Sequence, residues 1–237
     1  MFARGASGAG RVFPAVAPER AYDGLAIVLA VRRDSVYAPH ARAAEMCQGE
    51  GKMPANLVPK KLYLTNGVGV HQEKLQSFEL ALRDAGIAAL NLVSVSSIYP
   101  PGCRIITRAK GEEFLEPGQI AFVVMSRAET NEPHRMAAAS VGVAVPADRR
   151  MYGYLSEHHA FGQNAKEAGD YAEDLAASML ASTLGVEFDE NQSWDEKRQI
   201  WKISNKIVTT RNVTQSAVVG RSGKWTTVVA AAVLLFD

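Results

Sequence analysis

Apolar residues from Lys61 onward fall into short periodic blocks separated by turn residues, whereas the first 58 positions hold no sustained period. KLYLT (61–65) alternates as a strand does, and the glycine-rich NGVGV (66–70) reads as a break after it. A helical period follows over 74–85, with Leu75, Phe78, Leu82 and Ala85 on one face and Gly86 placed to end it. LNLVSV (90–95) is a strand stopped by Pro100-Pro101, since proline cannot continue a ladder.

QIAFVVMS (119–126), MAAASVGVAV (136–145) and MYGYLSE (151–157) are further strands. The strongest helix spans 164–182: Asn164 and Glu167 fit a capping box, Ala168, Tyr171, Leu175 and Met179 form an apolar stripe, and Gly185 ends it. WKISNKIVTT, VTQSAVVG and KWTTVVAAAVLLFD return to strand character. Many strands with two firm helices predict an α+β fold in which helices cover packed sheets. Residues 1–58, rich in Gly, Ala, Pro and Arg, read as a flexible N-terminal extension ahead of a domain over 59–237.

Composition narrows the partners. A chain of 237 residues, 47% hydrophobic, supports one or two cored domains, and a net charge of +1 supplies no field to gather nucleic acid or an anionic membrane. Cys47 and Cys103 fit neither a metal spacing nor a disulfide framework. GLAIVLAV (24–31) is too short for a span of roughly 20 residues and lacks a basic segment directly before it, so a cytoplasmic location is expected.

Several motifs carry little chemistry. NGVGVHQEK (66–74) lacks the Gly-Lys-Ser/Thr ending of a phosphate loop. His158 and His159, beside Glu157, point to opposite faces of a strand and do not converge on one metal. The triplets at Asn191 and Asn212 match the glycosylation pattern by chance where no export signal precedes them.

Ser96-Ser97, at the end of a strand and just before a double proline, is the exception. Turn chemistry alone accounts for a serine pair, but its surroundings are distinctive. Residues 78–102, FELALRDAGIAALNLVSVSSIYPPG, resemble the pyruvoyl-dependent arginine decarboxylases, in which an acidic helix leads through Ala-Gly-Ile and an Asn-Leu strand into Ser-Ser-Ile-x-Pro-Pro. SVGVAVPADRRMYGYLSEHH (140–159) resembles that family's later segment ending in Gly-x-x-x-Glu. The resemblance covers about 61–237.

The resemblance implies a four-layer αββα sandwich with two central, mainly antiparallel sheets flanked by helices. It implies that Ser97 attacks the carbonyl of Ser96 and the chain self-cleaves into a β chain, 1–96, and an α chain, 97–237, whose first residue becomes a covalent pyruvoyl group. That ketone forms a Schiff base with the substrate amine and accepts the electrons released with carbon dioxide, with no pyridoxal phosphate and no metal. Glu157 is implied as proton donor, Asn91 as the group polarising a carbonyl, and Glu79 as the partner of the substrate guanidinium. L-Arginine would give agmatine, in a homo-oligomer, a trimer of αβ protomers. Glu79 stands where the family pattern has Asp, and the family core does not explain residues 1–58. Decarboxylation of another amino acid such as histidine, and a noncatalytic oligomeric binding protein on the same fold, stay open as alternatives.

Overall fold

The computed structural model describes residues 57–185 and 207–236. The expected extension over 1–58 therefore lies outside the described residues except for Leu57 and Val58. Among those described, the elements run β1 (Lys61–His71), α1 (Lys74–Asp84), β2 (Asn91–Ser94), β3 (Ile98–Tyr99), β4 (Arg104–Ile106), α2 (Arg108–Glu112), β5 (Ile120–Thr130), β6 (Met136–Pro146), β7 (Gly153–Phe161), α3 (Ala165–Thr183), β8 (Ile207–Val218) and β9 (Trp225–Leu235). The fold is α+β. One sheet has the order β2-β5-β9-β1-β4 and the other β3-β7-β6-β8. The second sheet is antiparallel throughout, and the first is antiparallel apart from the edge pairs β2/β5 and β1/β4.

Strand alternation divides the core. One set of residues in the five-stranded sheet (Leu62, Val124, Val228, Ala230, Ala232) packs with Val141, Val143 and Leu155 of the other sheet. The alternate set (Tyr63, Val123, Val229, Ala231, Val233) packs with Ala81 and Ala85 of α1 and its C-terminus. Helix α3 lies on β6, burying Ala176, Ala177 and Leu180 against Ala144. Among the described residues no helix is long and apolar enough to cross a membrane.

Two expectations need correction, both because small residues permit close packing. NGVGV is not a break: β1 pairs with β9 residue for residue from Lys61 to His71. A β-carbon on Gly67 or Gly69 would collide with the Ala81 or Ser77 carbonyl of α1, so these glycines bring the helix onto the strand. The phosphate-loop reading loses its loop.

The second correction concerns α3. Its capping box forms as expected, with Glu167 N donating to Asn164 Oδ1 at 3.0 Å and Asn164 N to Glu167 Oε2 at 2.9 Å. Its buried face, however, is the alanine-rich one, with Ala168, Ala172, Ala176 and Leu180, while Tyr171 and Leu175 are exposed. Gly142 leaves room for the Ala172 carbonyl, to which Ser156 Oγ donates a hydrogen bond. Leu75 likewise leaves the buried stripe expected of α1 and is 77% exposed.

Other boundaries shift. The two strands expected around Thr209 and Val213 are one continuous β8, and residues 201–206 lie outside the described set. The short β3, β4 and α2 carry too little sequence to show a period.

Candidate active site

Ser96 and Ser97 form the crossing from one sheet to the other. β2 closes on β5, with Val95 N donating to Val123 O at 2.9 Å, and three residues later Ile98 enters the second sheet opposite Tyr154. Pro100 and Tyr99 are buried just beyond, and the Tyr99 hydroxyl donates to Cys103 O at 2.6 Å across the following turn. The serine pair is thus anchored on both sides.

Two backbone hydrogen bonds hold the pair itself. Ile98 N donates to Ser96 O at 2.9 Å, an i to i+2 bond that makes Ser97 the centre of a γ-turn. Leu155 N donates to Ser97 O at 2.8 Å. Among the described non-glycine residues only His134 has a positive φ, so Ser97 is fixed by partners without left-handed strain. Ser96 is exposed and Ser97 half-buried. Ser96 lines a mainly apolar cavity of about 370 Å³ with Val95, Pro100, Phe122, Leu234 and Phe236. Space for a small substrate therefore adjoins the junction.

Glu157 is brought near this junction. The Leu155–Ser97 bond extends the β3/β7 register by one residue. Glu157 lies two residues further along β7, about 7 Å, and on the same sheet face as Leu155. The side chain is exposed, yet partial desolvation of its carboxyl pushes the pKa above the ordinary glutamate value, and the Met125 backbone amide pulls the other way. A carboxyl shifted in this sense keeps its proton to higher pH.

Asn91 sits at the opposite end of β2 from the serines. Its Nδ2 donates to Gly118 O at 2.7 Å, and its backbone N donates to Gln119 O at 2.8 Å. Five residues of extended chain, up to about 16 Å, separate it from Ser96. The donor on the Ser96 carbonyl in this structure is the Ile98 N–H. Side-chain identities carry no signal for that backbone contact.

Glu79 lies elsewhere in the protomer. On α1 it accepts from Arg83, with Nη2 to Oε1 at 2.6 Å and Nε to the same oxygen at 3.2 Å. Helix α1 packs on one face of the five-stranded sheet, while Leu155, beside Ser97, packs against the other. That sheet therefore stands between Glu79 and the serine junction.

His158 directs Nε2 to Gln163 Oε1 at 2.8 Å and packs its ring on Tyr171. Asn212 donates to Glu173 at 3.0 Å, and the Asn191 triplet lies outside the described residues.

Comparison with known proteins bears on this arrangement. The family model described as pyruvoyl-dependent arginine decarboxylase matches residues 61–237. The chain is 59% identical over 180 residues to a "Pyruvoyl-dependent arginine decarboxylase" of Nitrosopumilus maritimus, covering 76% of this chain and 98% of that protein. It is 53% identical over 179 residues to "Pyruvoyl-dependent arginine decarboxylase 2" of Methanosarcina acetivorans, covering 76% of this chain and 98% of that one. With the serine junction and Glu157 in the matched region, the chain belongs to the pyruvoyl-dependent arginine decarboxylase family.

Proposed function

We propose that the chain cleaves itself between Ser96 and Ser97 and then decarboxylates L-arginine to agmatine and carbon dioxide. The observation that carries this reading is the held Ser96 carbonyl, hydrogen-bonded by Ile98 N–H at 2.9 Å, beside the hydroxyl-bearing Ser97. Ser97 Oγ attacks the Ser96 carbonyl carbon, and the C–N bond gives way to an ester as the nitrogen takes a proton. The Ile98 N–H faces the oxygen on which negative charge develops, the geometry an oxyanion requires. Loss of the Ser97 α-proton then expels the Ser96 carboxylate by β-elimination. Hydrolysis of the resulting dehydroalanine releases ammonia and leaves a pyruvoyl group at position 97.

The surroundings fit such a group: Ser97 is half-buried, its own carbonyl is fixed by Leu155, and the cavity beside Ser96 opens to substrate. A pyruvoyl ketone supplies the electron sink for decarboxylation without pyridoxal phosphate or a metal. Glu157, with its pKa raised, serves as the proton donor to the carbon that loses carbon dioxide. Asn91 polarises a carbonyl in the mature enzyme. Glu79 takes the guanidinium, a role for which its present pairing with Arg83 shows suitable chemistry.

Because a sheet separates Glu79 from Ser97, both can serve one active site only across two protomers. This favours a homo-oligomer with shared sites, which we take to be a trimer. The four-layer αββα arrangement, the catalytic domain over 59–237 and a cytoplasmic location belong to the same reading.

Intact mass under denaturing conditions tests it. Two fragments divided between Ser96 and Ser97, the larger lacking one ammonia relative to a serine-started chain, are expected. A single uncut mass from protein incubated to completion overturns the reading.

A further inference from the structure

We propose that a second cavity, bordered by Tyr99, Arg104, Arg149 and Arg211, binds a small phosphate-class anion. It is partly open to solvent, measures about 280 Å³ and shares no lining residue with the cavity at Ser96. The proposal does not rest on the self-cleavage reading.

Three arginines border this space from three separate elements. Arg104 opens β4, Arg149 lies in the turn between β6 and β7, and Arg211 is on β8 opposite Val143. That register puts Arg211 on the side of its sheet that faces the other sheet, since Val143 belongs to the core between them, and Arg211, Arg104 and Arg149 are all exposed at its edge. Arg149 Nη1 approaches Cys103 O at 3.4 Å. Both Arg149 and Arg211 act on the Tyr99 phenol, opposing the burial that pushes its pKa up to about 12. Two of the charges, those of Arg149 and Arg211, therefore meet at Tyr99, and Arg104 borders the same cavity.

Most of the other described arginines carry a counter-charge. Arg83, Arg108, Arg127, Arg135 and Arg150 each pair with a carboxylate close to them in sequence. Arg104, Arg149 and Arg211 have no carboxylate partner among the described residues, and no acidic side chain lines the cavity. A single inward charge on an edge strand is a known guard against edge-to-edge pairing. That explanation covers Arg211 but not Arg104 and Arg149, which arrive from elsewhere.

A guanidinium fork matches the oxygens of phosphate, and several together bind it more strongly than point charges would. The Thr209 side chain completes a polar wall, while Ile105 and Val145 supply an apolar one. The volume suits inorganic phosphate or a small phosphomonoester. With a net charge of +1 and these three arginines grouped around one small, partly open cavity, a polyanion such as nucleic acid has no extended basic track to follow.

The test is calorimetric titration of the purified full chain with inorganic phosphate, with ionic strength held constant by sodium chloride. Saturable one-site binding is expected, weakened roughly tenfold or more in R149Q/R211Q as charge-assisted bonds are lost. Arg150→Gln, which alters the neighbouring arginine outside the cavity, should bind as the unaltered protein does. Circular dichroism establishes that the variants fold, and the single R149Q replaces the double variant if the latter does not. Absence of saturable binding to the unaltered protein overturns the proposal, as does equal affinity in the cavity variant.

Discussion

The backbone N–H of Leu155 donates to the carbonyl of Ser97 at 2.8 Å, and this bond ties the serine junction to the strand that carries Glu157. It extends the short β3/β7 ladder, whose paired residues are only Ile98 with Tyr154 and Tyr99 with Gly153. Ser97, the proposed nucleophile of self-cleavage, and Glu157, the proposed proton donor, are thus positioned by one register. A slip of one residue would turn Glu157 to the other face of the sheet.

Replacing Ser97 with Ala removes the hydroxyl proposed to attack but leaves the backbone bonds to Ile98 and Leu155 available. The expected product is a folded, uncut chain with decarboxylation at background. Electrophoresis and agmatine assay read the two effects separately. Cleavage at the same bond in this variant would show that another group is the nucleophile.

Glu157→Gln keeps shape and hydrogen-bonding capacity but cannot donate a carboxyl proton. Self-cleavage should proceed, while kcat falls by about 10²–10⁴-fold, the usual worth of a positioned general acid. The pH profile supplies the sign. Burial raises the Glu157 pKa, so the protonated, donating form persists to higher pH than an ordinary glutamate would allow. Activity should decline as pH rises through that value, and the variant should lose this limb. A profile identical in both proteins would assign the limb to another group.

The glycine-rich stretch of β1 makes a prediction about stability. Gly67→Ala places a β-carbon against backbone and side-chain atoms of Ala81 and Ala85 rather than against a flexible side-chain tip. The helix must shift, at a cost of about 1–3 kcal/mol, typical of overpacking. Urea unfolding should show a lower midpoint with an unchanged slope. A variant as stable as the parent would mean that α1 does not sit as closely on β1 as described.

The same glycines show where sequence pattern fails. Periodicity identifies α1 and α3 because each carries several turns, β-favouring runs bounded by turn residues identify β2, β5 and β6, and a capping box marks the start of α3 locally. It misread Gly67 and Gly69 because glycine marks either a turn or a close approach, and only the position of Ala81 decides between them. It chose Tyr171 and Leu175 as the buried stripe of α3 because size suggested burial, whereas the room left by Gly142 selected alanines. The serine pair and Glu157 stand out in the sequence through the motifs they occupy, and the fold brings them to one strand register. The Ile98 N–H does not stand out, since every residue but proline has one and only the fold aims it.

Glu79 supplies the last test, because its position on α1 makes a statement about assembly. Glu79→Ala should leave cleavage intact while lowering kcat/KM for arginine by one to two orders of magnitude, as expected when a charged hydrogen bond worth about 1.5–3 kcal/mol is lost. Ser97→Ala should be inactive for want of the pyruvoyl group. With the five-stranded sheet between the two residues, each protomer would lend Glu79 to a neighbour's Ser97. Mixing the variants by coexpression should therefore restore activity in about a quarter of the interfaces of a randomly assembled ring, those pairing an intact Ser97 with an intact Glu79. Activity no greater than the two variants show separately, in assemblies proven to be mixed by native mass, would place substrate recognition on another residue of the Ser97 protomer.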